Sequence, residues 1–203
     1  HEVGPTIEKD LAKAETLALG VTVILLIFVF GGLVAASLPL IIGIIAIVGS
    51  WLALRIIASI TDVSVYVISM TTVMGLGLAI DYSLFVLSRF REELNKGHDV
   101  PAAVTITMKT AGRTVVFSAL TVAVSLSALL IFPLYFLQSF AYAGIAVVAV
   151  ACAGSVIVLP AILAGLGPRV DSLSFRKARA AKSDAEGFWH RTAVMVMKRP
   201  WPF

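Results

Sequence analysis

A carboxylate inside a long apolar run is the first residue of this chain to need a chemical explanation. Asp81 lies in the stretch Val65 to Phe85, which stays largely apolar as far as Phe90, and it precedes the first basic residue, Arg89, by about 12 Å at helical rise. That depth is close to the middle of a bilayer, where an Asp costs about 2.5 to 3.5 kcal/mol to insert. On a helix Gly77, Asp81, Phe85 and Ser88 share one stripe, and Tyr82 projects about 100 degrees further round. A carboxyl kept from bulk water can hold or release a proton near neutral pH, and a neighbouring phenol can donate to its ionised form. The pattern predicts a proton relay or ion site. Two other readings stay open: a carboxyl that ties helices together by hydrogen bonds, and one that touches a substrate.

The remaining polar groups in apolar runs offer less. Arg55 stands near the end of its run, where a long side chain can snorkel to the interface, and it is otherwise the obvious counter-ion for Asp81. Ser118, Thr121 and Ser125 make a polar stripe that could face Asp81, although such hydroxyls commonly bond back to their own helix. Gly75, Gly77 and Ala79 give small surfaces on which helices can approach closely. The same glycines do not make a dinucleotide loop, since no strand precedes them and the third glycine is missing. His1, His98 and His190 are scattered, and no nucleophile stands beside a base. Metal sites, cofactors and covalent catalysis therefore have no support, and no enzyme is expected. Cys152, within an apolar run, reads as a small buried residue.

These residues must be positioned by membrane helices. Of the 203 residues 59% are hydrophobic and 14% charged, with a mean hydropathy of +0.99, which excludes a soluble enzyme core, a disordered chain and a disulfide-rich secreted domain. Five apolar stretches are long enough to cross: Leu17 to Ala36, Leu38 to Ala58, Val65 to Phe85, Thr114 to Phe132 and Phe140 to Leu163. Backbone amides in lipid need internal partners, and the alternation of a membrane barrel is missing, so the fold class is all-α, a polytopic bundle of five transmembrane helices. No signal peptide is visible. The start at His1 and the ending at Pro202-Phe203 read as those of a segment of a longer protein.

Thirteen of the 16 Lys and Arg fall on one side of these spans: Arg89, Arg91, Lys96, Lys109 and Arg113 after the third, and eight more from Arg169 to Arg199 after the fifth. The other side holds Glu2, Glu8, Asp10, Glu15 and Asp62 against only Lys9 and Lys13. The basic side is predicted to be cytoplasmic, with the N-terminal segment external and the C-terminal tail internal. The basic tail sets topology and meets anionic lipid, and no nucleic acid is expected. Ser37-Leu38-Pro39 predicts a tight turn between the first two spans, with Pro39 opening the second helix. Asn95 to Asp99 predicts a helix stop and an N-cap before Pro101, after which Ala102 to Gly112 forms an interfacial elbow leading to Arg113. Phe132 to Phe136 makes an aromatic turn at headgroup level, and Phe188 to Lys198 a second amphipathic surface stretch.

Gly75-Leu76-Gly77-Leu78-Ala79-Ile80-Asp81-Tyr82-Ser83-Leu84-Phe85-Val86-Leu87-Ser88-Arg89-Phe90-Arg91-Glu92-Glu93, followed by Gly112-Arg113-Thr114-Val115-Val116-Phe117-Ser118, strongly resembles the MmpL (mycobacterial membrane protein large) family of the resistance-nodulation-division superfamily. Gly167-Pro168-Arg169-Val170-Asp171 is similar to that family's exit from its sixth membrane helix. The resemblance covers nearly the whole chain but one piece of such a transporter: residues 1–16 as the end of an external porter domain, 17–166 as membrane helices two to six of twelve, and 167–203 as a cytoplasmic basic tail leading to the next helix. It implies export of lipids, glycolipids or lipid-like siderophores across the inner membrane, driven by proton influx. Asp81 and Tyr82 then form the relay pair, Phe85 a gate beneath it and Ser118 a packed polar neighbour, with Gly75 and Gly77 at helix contacts. The implied partners are a lipid or lipid-like substrate, the surrounding membrane lipids, the second half of the transporter with its own Asp-Tyr pair, and further copies in an oligomer. Without that second half this chain is not expected to transport. A lipid- or sterol-sensing membrane module, a truncated remnant and a structural scaffold are the competing readings.

Overall fold

An apolar run can leave water only if its backbone amides pair within it, and helices are what forms. The computed structural model describes residues 17, 20–61, 63, 64 and 66–172. Among these the elements are α1 (Gly20–Phe30), α2 (Leu33–Ala58), α3 (Tyr66–Asn95), α4 (Val100–Thr107), α5 (Arg113–Ser127), α6 (Tyr135–Ala153) and α7 (Leu159–Leu166), with no strand. A π-turn at Met108–Gly112 joins α4 to α5, and another at Gly154–Val158 joins α6 to α7. The result is a helical membrane bundle. Four continuous rods are long and apolar enough to cross a membrane, Leu33–Ala58, Val67–Asn95, Val100–Ile131 and Tyr135–Asp171, while α1 is a shorter apolar helix. The expected porter-domain end at residues 1–16, the tail beyond Ser172 and the Phe188 to Lys198 stretch lie outside the described residues.

The turn between the first two helices is not where Pro39 placed it. The break falls at Gly31-Gly32, where Gly31 takes φ 63° and Gly32 is extended. Gly31 N–H closes α1 on the Ile27 carbonyl at 2.8 Å, and Ala36 N–H opens α2 on Gly32 at 3.1 Å. The positive φ of Gly31 is what a residue with a Cβ would adopt only under strain. Pro39 instead lies inside α2, buried beside Ala35, Ala36 and Ile42. Its fixed φ is already helical, so the helix runs through it at the loss of one backbone donor.

α2 packs along α3, and both pack on α6. Small residues bring them together: a Cβ on Gly49 would lie 2.6 Å from Val150 Cγ1. α5 touches the bundle chiefly on α6 through a narrow stripe of Val115, Ala119, Val122 and Leu126. Only 11% of the most apolar window of the Val100–Ile131 rod is buried, against 39 to 44% for the other three, so α5 has a flank that the described residues do not cover.

The basic end of the bundle is knitted by ion pairs. Glu93, 2% exposed, receives Arg89 at 2.8 Å and Lys96 at 2.9 Å, with His98 Nε2 at 3.4 Å. The Glu92 and Glu93 carboxylates hold the Lys96 ammonium above its usual pKa. Asp99 then caps α4 by accepting from Ala102 N–H at 3.1 Å, with Pro101 in the first turn. The elbow expected at Ala102 to Gly112 is a continuous helix with its π-turn at that place.

Candidate functional site

α3 positions the singled-out residues, and its two faces differ. Val73, Gly77, Asp81, Phe85, Ser88 and Glu92 are all exposed, at steps of four or three that trace one stripe along the helix. The opposite face, with Ala79, Val86, Leu87 and Phe90, is buried. Asp81 therefore stands half-way along a membrane helix on a face that no other described residue covers, and its side chain makes no hydrogen bond or ion pair among the described residues. Phe85 lies one turn below it on the same stripe. Gly77 lies one turn above, with nothing within 4 Å of where its Cβ would be. Gly75 turns inward instead, its Cβ position 3.5 Å from Val147 of α6 and 3.9 Å from Ser50 of α2.

Tyr82 points the other way from its neighbour. It is 7% exposed, and its buried hydroxyl makes no hydrogen bond. Asp81, Ser118 of α5 and Cys152 of α6 all act electrostatically on the phenol, which stands on the side of α3 that packs against α6. An unpaired buried hydroxyl is costly. The Ser118 stripe divides accordingly. Thr121 donates to the Phe117 carbonyl at 2.9 Å and Ser125 to that of Thr121 at 2.9 Å, both back-bonded, while Ser118, equally exposed, is the one of the three whose hydroxyl acts on the phenol. Arg55 stands in the last turn of α2 and makes no ion pair with Asp81.

Comparison with known proteins then decides the lineage: the family model described as MMPL family matches residues 2–203. The chain belongs to the MMPL family. It is 42% identical, over its whole length, to the trehalose monomycolate exporter MmpL3 of Mycolicibacterium smegmatis, covering 22% of that relative. It is 48% identical over 98% of the chain to a membrane protein of Streptomyces coelicolor, covering 29% of it. It is 39% identical over 95% of the chain to the mycolic acid-containing lipids exporter MmpL11 of Mycolicibacterium smegmatis, covering 20% of it. The chain thus spans less than a third of the length of the curated relatives it matches.

Two features of this MMPL chain escaped sequence reasoning. Ser83 Oγ lies 3.4 Å from Ser155 Oγ, both buried, and ties α3 to the π-turn of the last rod. Pro160 is the one available signal for that turn: it has no N–H for the Val156 carbonyl, and the helix widens just ahead of it. The second feature is Arg91. Its guanidinium pairs with Asp171 at 2.6 Å, donates to the Phe30 carbonyl at 3.2 Å and covers the Phe30 ring at 5.9 Å. No group of His, Cys, Asp and Glu is placed to hold a metal among the described residues.

Proposed function

We propose that this chain is part of a proton-driven membrane transporter that exports lipids, glycolipids or lipid-like siderophores across the inner membrane, and that Asp81 and Tyr82 form its proton relay. The observation that carries this reading is Asp81 on the open stripe of α3. A carboxylate facing acyl chains at mid-bilayer is expensive, whereas one facing a second helical half, through a cation or hydroxyl donor, is not. The open flank of α5 offers the same half a second helix to pack on. The names of relatives that export trehalose monomycolate and mycolic acid-containing lipids support a lipid substrate. The basic end of the bundle is cytoplasmic in this reading, with the N-terminal segment external, the C-terminal tail internal, and no enzymatic step or cofactor.

A proton arriving from outside neutralises the Asp81 carboxylate and weakens its hold on the facing donor, which frees the two halves to shift. Its departure to the cytoplasm restores the charge and the hold. The Tyr82 hydroxyl can donate to one neighbour while accepting from another, and the Ser118 hydroxyl on α5 is one polar group that acts on it. The gradient is sufficient. One proton yields about 2.3 kcal/mol per 100 mV and about 1.4 more per pH unit, comparable to the cost of charging a secluded carboxyl.

The test is efflux from vesicles reconstituted with the full-length protein, with an imposed pH gradient. Asp81→Asn keeps size and most hydrogen bonding but cannot titrate, and efflux should stop although the protein inserts and folds. Normal efflux by that variant would leave Asp81 a structural carboxyl; efflux that persists after an uncoupler collapses the gradient would remove the proton coupling itself.

A further inference from the structure

The end of the bundle opposite Arg91 carries a cleft of about 410 Å³ that the relay leaves unused. Trp51, Leu54 and Ala58 on the last turns of α2 form one wall, and Val63 and Ile68 around the start of α3 form the other. The walls are apolar, with two polar groups among them: the Arg55 guanidinium and Ser64. Trp51 and Arg55 are one turn apart, so a broad aromatic surface lies directly below a cation. Arg55 is exposed and has no ion pair among the described residues, and no described lining residue is acidic.

The cleft sits where a lipid headgroup meets its chains. Arg55 is three residues from the end of a membrane helix, about 4.5 Å along its axis. Beside the cleft Leu52 and Ile56 are exposed, 64% and 57%, on the flank that acyl chains would wet. A lipid of the surrounding leaflet presents its phosphate and its chains together at this level. A guanidinium binds a phosphate through a planar fork, and none of the described lining residues offers a carboxylate to the cationic half of a zwitterionic headgroup. The volume suits one chain and part of a headgroup.

We infer that this cleft is a binding site for one anionic phospholipid, its phosphate on Arg55 and Ser64 and an acyl chain against Trp51, Leu54 and Ile68. The bound lipid bridges the end of α2 to the start of α3, the helix that carries Asp81. The inference needs only the membrane position of α2 and α3 and stands or falls apart from the proton relay.

The full-length protein in neutral detergent tests it. Short-chain phosphatidylglycerol should raise the unfolding temperature saturably, while phosphatidylcholine of the same chain length and free glycerol phosphate should not. Arg55→Gln should weaken the phosphatidylglycerol effect at least about fivefold. A photoreactive phosphatidylglycerol should label the segment from Trp51 to Ile68, and the label should fall in Arg55→Gln whether or not that variant is less stable. An undiminished response in Arg55→Gln, or equal labelling by a photoreactive phosphatidylcholine, would overturn the inference.

Discussion

Arg91 Nη2 lies 2.6 Å from Asp171 Oδ1, so the end of α3 and the turn after the last span meet in one ion pair. The two side chains are 25% and 42% exposed, which makes the pair itself worth less than about 1 kcal/mol. The Phe30 carbonyl is different, because it terminates α1 at the glycine break and its partner is a charged donor. Arg91→Ala should therefore cost about 2 kcal/mol and Asp171→Asn less than half of that, read by denaturant unfolding of the full-length protein in mixed micelles. Equal losses would mean that the carbonyl contact contributes nothing.

Gly49 and Gly77 should respond oppositely to the same methyl group. At Gly49 an added Cβ would fall 2.6 Å from Val150 Cγ1, so Gly49→Ala should destabilise by about 1 to 3 kcal/mol, and Val150→Ala should relieve most of that. At Gly77 nothing lies within 4 Å, and Ala should stabilise this helix by about 0.5 to 1 kcal/mol. If a second half packs on the open stripe, Gly77→Ala will nevertheless slow efflux. Unchanged efflux with raised stability would argue against a close approach there.

Tyr82→Phe removes a buried hydroxyl that makes no hydrogen bond, so stability should be unchanged or rise by up to about 1 kcal/mol. Transport should fall, but by less than in Asp81→Asn, because a donor is lost and the titrating group is kept. A variant as inactive as Asp81→Asn would make the phenol an obligatory carrier.

Reporter fusions fix the sides of the membrane. Those at Lys96 and Lys182 should read cytoplasmic and one at Asp62 external, because the Lys and Arg gather on the first two. The reverse pattern would invert every side assigned to the molecule.

Hydropathy alone found the four long rods, because apolar length is what a bilayer demands. It placed the first turn wrongly, since Gly31 and Gly32 are nearly invisible to an apolar scan while Pro39 reads loudly as a helix start. The stripe through Gly77, Asp81, Phe85 and Ser88 was legible from spacing, since α3 is regular through that stretch. That Tyr82 stands on the side of α3 that packs against α6 was not, because spacing gives angles on one helix and no neighbours. The Ser83 to Ser155 contact joins residues 72 positions apart, and no local pattern announces it.

The π-turn at Gly154–Val158 gives the last span a swivel. A π-turn accommodates one residue more than α geometry, and when such a turn moves along a helix the residues it passes rotate by about one helical step, 100 degrees, while the hydrogen-bond ladder on either side survives. Ser155 is inside the turn, so one such move would carry it off Ser83 without melting the span. Cys152, which acts electrostatically on the Tyr82 phenol, lies just ahead of the same turn. The geometry thus allows the span to be re-indexed around its own axis near the level of Tyr82, a rotation that needs no rigid-body movement of the bundle.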